Sequence, residues 1–61
     1  MIRPTALIVE DESAQLDILK YNLEADGFAV HVARDGEEAL LLVDEVDPDI
    51  VLLDWMLPKL S

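Results

Sequence analysis

The sequence predicts an α/β fold: a β-α-β-α-β unit with a three-stranded parallel sheet, forming the first half of a doubly wound domain. Three observations carry this expectation. Two short apolar runs, "TALIV" at Thr5 to Val9 and "DIVLL" at Asp49 to Leu53, have the branched, uninterrupted composition of strands buried on both faces. Two stretches between them have helical composition and are ten or more residues long. Strands that alternate with helices of that length pair in parallel through right-handed crossovers.

The first strand follows Pro4 and ends abruptly at Glu10, Asp11 and Glu12. Ser13 is placed to cap a helix that runs to about Asp26 through "SAQLDILKYNLEAD", and Gly27 then stops it. Its core stripe is read as Ile18, Leu19 and Leu23, with Leu16 and Tyr21 at the borders and partly exposed. "FAVHVA", Phe28 to Ala33, is a second strand with less continuous apolar character, suited to a sheet edge. His31 within it is read as a partly exposed strand residue rather than a ligand.

Asp35-Gly36 turns the chain, and Asp35 with Glu38 three positions later has the spacing of a capping box. A second helix then extends to about Val46, and Pro48 prevents it from continuing. Its expected core face is Ala39, Leu40 and Val43, leaving Leu41 or Leu42 outward. The acidic run "DEVDPD", Asp44 to Asp49, reads as a solvated helix end.

Sixty-one residues allow one small domain. A chain of this size buries only about 60% of the surface its unfolded form exposes, so stability is expected to be marginal. The content is 52% hydrophobic and 30% charged, which suits a packed core rather than a disordered tail. Fourteen acidic residues against four Lys and Arg give a formal charge of -10, which opposes direct binding to nucleic acid or anionic lipid. Cations, basic protein surfaces or a metal ion are better partners. There is no cysteine, which excludes disulfides and thiolate metal sites. The N-terminal apolar run is too short for a secretory segment or a membrane span, so a cytoplasmic location with no membrane partner is expected.

In open α/β sheets, ligands collect beyond the carboxyl ends of the strands, where strand order reverses. If the first strand lies between the other two, Glu10 and Asp11 at its end stand beside Asp54 at the end of the third. Carboxylates that converge raise each other's pKa unless a cation neutralises them. Oxygen-only donors suit a hard divalent ion, and magnesium more than calcium, because a few carboxylates leave room for water and phosphate oxygens. Taken singly, each acid also fits a turn former or a helix cap favoured by the helix dipole. Their grouping at the ends of two neighbouring strands is what favours a site.

Four motifs in order, "LIVEDE" at Leu7 to Glu12, "DGFAV" at Asp26 to Val30, "DGEEAL" at Asp35 to Leu40 and "PDIVLLDWMLP" at Pro48 to Pro58, resemble the receiver domain of two-component response regulators. "LLDWMLPKLS" further resembles the OmpR/PhoB subfamily, whose receivers precede a winged-helix DNA-binding domain. The resemblance implies a flavodoxin-like strand order. It implies that Asp54 is the phospho-acceptor, receiving a phosphoryl group from the phosphohistidine of a sensor histidine kinase. Glu10 and Asp11 would hold Mg2+, Glu10 through water, with one oxygen of Asp54 and the backbone carbonyl of Met56. Pro58 would shape the loop after the acceptor, and Trp55 would flank the site with a packing role.

The family places a hydroxyl residue and a Lys after two further strands, positions that have no counterpart among these 61 residues; Lys59 does not replace that Lys by motif position. The chain is therefore expected to be an incomplete receiver over residues 1–61, without the C-terminal half or an output domain. DNA would be contacted only through that output domain, and phosphorylation of the fragment would be impaired. Two other functions compete. An uncovered third-strand edge would make the chain a self-associating module without phosphorylation activity. A magnesium phosphohydrolase of the haloacid dehalogenase type also places an Asp nucleophile after a strand, but it requires a second Asp two positions on, where this chain has Met56. The reading preferred is a phospho-acceptor rather than an enzyme.

Overall fold

The computed structural model describes residues 2–53. Five elements follow in the expected order: β1 (Thr5–Val9), α1 (Ser13–Ala25), β2 (Ala29–Ala33), α2 (Gly36–Val46) and β3 (Ile50–Leu53). All pairing is parallel and the strand order is β2-β1-β3, so the first strand of the chain is the middle of the sheet. Thr5 pairs with Ala29 and Val9 with Ala33 on one side, and Ala6 with Ile50 and Val9 with Leu53 on the other. The edge position of β2 agrees with its interrupted apolar pattern, and His31 is exposed there.

Both helices pack on β1 and β2. Right-handed crossovers that run in opposite directions across the sheet, β1 to β2 and then β2 past β1 to β3, bring successive helices to opposite faces. Leu7 and Ile8, adjacent and therefore on opposite faces of β1, are both fully buried. Ala6, Ala33 and Leu16 complete the buried apolar core.

The helix boundaries have local causes. Asp26 caps the C-terminus of α1, and Gly27 takes the left-handed conformation at φ 95°. The Phe28 N–H donates to the Leu23 carbonyl and the Gly27 N–H to the Glu24 carbonyl, each at 3.0 Å, the paired bonds of a Schellman ending. At the start of α2, Asp35 Oδ1 accepts from the Glu38 N–H at 2.9 Å, as the spacing predicted. The return bond from Glu38 Oε1 is made by the Arg34 N–H, one residue earlier than in the usual box. At its C-terminus, Asp47 closes α2 in the left-handed region at φ 53°, directly before Pro48.

Four expectations need correction, the first that β3 is buried on both faces: Val51 and Leu53 are exposed, because neither helix packs on that strand. Ser13 is the first helical residue rather than the cap; Glu12 occupies the cap position and makes no side-chain capping bond. The inward stripe of α1 is Leu16, Leu19 and Leu23, with Leu16 buried, whereas Ile18 is exposed, as is Tyr21. At 3.6 residues per turn Ile18 lies about 200° around the helix from Leu16, so a stripe anchored on Ile18 turned the wrong side to the sheet. The inward stripe of α2 is Ala39, Leu42 and Val46, all half-buried, while Leu40 is 74% exposed and Val43 41%. Because α2 lies over β1 and β2 without touching β3, its flank bearing Leu40 and Val43 has no strand beneath it.

Candidate functional site

The carboxyl edge of the sheet is built on β1. The Glu10 N–H donates to the Ala33 carbonyl at 3.0 Å, which carries the β1–β2 ladder one residue past the strand. Glu10 is only 7% exposed, and its Oε2 accepts from the Glu12 N–H at 2.9 Å. The carboxylate is thereby folded over the strand-to-helix turn instead of reaching freely into solvent. Asp11 follows it and is exposed. One buried, anchored acid and one accessible acid thus stand side by side at the end of the middle strand.

The neighbouring strand delivers the third candidate to the margin of the described residues. Val9 pairs with Leu53, and the residue that follows each in sequence is an acid, Glu10 after β1 and Asp54 after β3. Asp54 and Met56, with Trp55, Pro58 and Lys59, lie outside the described residues. Among the described residues no group of three or more His, Cys, Asp or Glu is arranged to hold a metal ion. The acids that are described supply oxygen donors only, the donor chemistry that suits a hard divalent cation.

Asp49 was missed by the sequence reading. It is exposed, as expected of the acidic run, yet it is not merely solvated: its Oδ2 accepts from the Thr5 N–H at 2.8 Å and its own N–H donates to the Thr5 carbonyl at 2.8 Å. The available signal was its place immediately before an apolar strand, following Pro48.

A broad surface depression along α2, of about 800 Å³, is lined by Leu40, Leu41 and Val43 with Asp35, Glu38 and Asp44 around them. It is separate from the acidic edge. No helix among the described residues is long and apolar enough to cross a membrane.

A β2-β1-β3 parallel sheet, with carboxylates just past the end of its middle strand, defines the class as a doubly wound α/β module of flavodoxin-like order, whose ligands belong at that edge. The particular family follows from comparison: residues 6–61 match the response regulator receiver domain, and the chain belongs to that family. The chain is 48% identical over 58 residues to the phosphate regulon transcriptional regulatory protein PhoB of Rhizobium meliloti (strain 1021), covering 95% of this chain and 26% of the relative. It is 50% identical over 55 residues to the alkaline phosphatase synthesis transcriptional regulatory protein PhoP of Bacillus subtilis (strain 168), covering 90% of this chain and 23% of the relative. These relatives agree with an OmpR/PhoB-like receiver. The chain spans about a quarter of the length of the curated relatives it matches.

Proposed function

We propose that these 61 residues are the phospho-acceptor half of a receiver from a transcriptional response regulator, with Asp54 as the acceptor. The observation that carries this reading is the β1–β3 register: Val9 is paired to Leu53 on strands about 4.8 Å apart, and the residues that follow these two in sequence are Glu10 and Asp54. In the reaction, a carboxylate oxygen of Asp54 forms a bond to phosphorus. The P–N bond to the kinase imidazole breaks, and its electron pair stays with the imidazole nitrogen. The product is an aspartyl phosphate.

Glu10 and Asp11 would hold Mg2+ with Asp54 and the Met56 carbonyl. When bound, the ion supplies positive charge that offsets repulsion between the carboxylates and the phosphoryl oxygens. Glu10's own contribution is positional, because its bond to the Glu12 N–H keeps one oxygen committed and the carboxylate in place. In the longer parent, cytoplasmic and served by a sensor histidine kinase, phosphorylation would control transcription through a DNA-binding output domain.

Intact-mass measurement after incubation with acetyl phosphate and Mg2+ tests the assignment. The expected result is slow gain of one phosphoryl group, abolished in Asp54→Asn and reduced in Asp11→Asn. Persistence of the label in Asp54→Asn would remove Asp54 as the acceptor.

A second reading, a self-associating module, is favoured by one observation. β3 pairs only with β1 among the described residues, and Val51 and Leu53 on it are 43% and 52% exposed. An open apolar strand edge invites pairing with a second copy. Sedimentation should then show a species larger than 6.8 kDa that dissociates on dilution. A monomer at all concentrations removes this reading.

A further inference from the structure

Both backbone polar groups of Thr5, the first residue of β1, are taken by Asp49. The Asp49 N–H donates to the Thr5 carbonyl, and the Asp49 carboxylate accepts from the Thr5 N–H, each at 2.8 Å. The second bond joins groups 44 residues apart and is made by a side chain rather than by the strand ladder. A carboxylate acceptor makes it about twice as strong as a neutral hydrogen bond.

Such a bond matters because the strands themselves do not define their alignment. Register is ordinarily set by an apolar pattern that distinguishes one face from the other. Here Ala6–Val9 faces Ile50–Leu53, and every position in both is apolar. A slip of two residues would keep the same faces and still pair two residues of each apolar run, while moving the end of β3 by about 6.6 Å. Asp49 opposes slips in either direction. A slip either way takes its carboxylate from the Thr5 N–H and its own N–H from the Thr5 carbonyl.

We infer that Asp49 is a positioning residue: its bond to the Thr5 amide sets the register of β3 on β1, and so sets where Asp54 stands relative to Glu10. The inference rests on the reading of Asp54 as phospho-acceptor, and it adds a residue at the opposite end of the strand to that site. It also assigns to the "PDIVLLD" segment a division of labour. One aspartate aligns the strand and the other, five residues on, reacts.

The test uses the 61-residue chain with Asp49→Ala and Asp49→Asn, the latter keeping a side-chain oxygen acceptor. Cross-strand NOEs report the pairing of Val9 with Leu53 or with Val51, and acetyl phosphate labelling reports Asp54. In the unsubstituted chain the Thr5 amide should exchange as slowly as that of Leu7; exchange at the rate of a free amide overturns the proposal without any variant. Asp49→Ala is expected to lose the Val9–Leu53 contacts and to slow labelling per folded molecule by about 100-fold, with Asp49→Asn within about threefold of the unsubstituted chain. Native contacts and an unchanged labelling rate in Asp49→Ala would overturn it, as would Asp49→Asn behaving like Asp49→Ala. If the unsubstituted chain takes no label from acetyl phosphate or a phosphorylated kinase, the acceptor reading fails, and the NOE pattern alone decides the role of Asp49.

Discussion

β1 and β3 are nearly the same sequence in physical terms, yet they live in different surroundings. β1 carries Ala6, Leu7 and Ile8, all fully buried. β3 carries Ile50 to Leu53, half-buried on one face and exposed on the other, because neither helix packs on it. The comparison shows that an apolar strand is made interior by what lies above and below it. Composition makes the strand, and coverage makes the core. For the site the difference has a direct meaning: Glu10 extends from the strand that is packed on both faces, whereas Asp54 follows the strand that is held at one edge.

Identical substitutions on the two strands put that contrast to measurement. Leu7→Ala removes a side chain closed in on every side and should cost about 2–5 kcal/mol, enough to unfold a domain of this size in urea titrations followed by circular dichroism. Leu53→Ala, on the open face of β3, should cost less than about 1 kcal/mol in the same titration. Equal losses would mean that β3 is covered in solution, by a second copy or otherwise, and the contrast would fall. A smaller effect sharpens it from the side of the helices. Asp35→Ala deletes the cap bond to the Glu38 N–H and should lower stability by about 1 kcal/mol. Because α2 rests on β1 and β2, amide exchange should quicken at Ala39 and its neighbours while the β1–β3 pairing keeps its register.

Much of this arrangement is legible in the sequence, for reasons that are local. Gly27 marks a helix end because only a left-handed residue completes the paired bonds there, and Asp35 with Glu38 marks a start because their spacing matches two free backbone amides. β1 and β3 are legible as unbroken apolar runs, and the strand order is what the resemblance to the receiver family implies. The helix faces are harder. "ALLLV" in α2 is apolar in every direction, so periodicity could not choose between Leu40 and Leu42; the choice was made by the position of the sheet beneath it. Likewise Leu16 turns inward because α1 lies on β1 and β2, a fact about the crossover rather than about any residue in the helix. Of the candidate site, Glu10 and Asp11 follow the end of β1, as the strand boundary read from the sequence places them. Asp49 could be seen in the sequence only as the residue between Pro48 and an apolar strand; its partner, a backbone amide 44 residues away, could not.

The clasp between Asp49 and Thr5 also bears on the order in which the chain is assembled. The strand made first during synthesis is the middle of the sheet, so it must wait for partners on both sides. β2 arrives after roughly half the separation that divides Thr5 from Asp49. Loop entropy hardly distinguishes the two closures, since a doubling of loop length costs only about 0.6 kcal/mol. Coverage does distinguish them: the β1–β2 pair forms with helices above and below it, whereas β3 docks onto an edge with little beyond its ladder and one charged bond. Folding should then reach a β1–β2 intermediate arrangement in its transition state, with β3 added late, and substitutions at Asp49 would speed unfolding more than they slow folding. The last strand to be aligned is the one that precedes Asp54, the proposed acceptor.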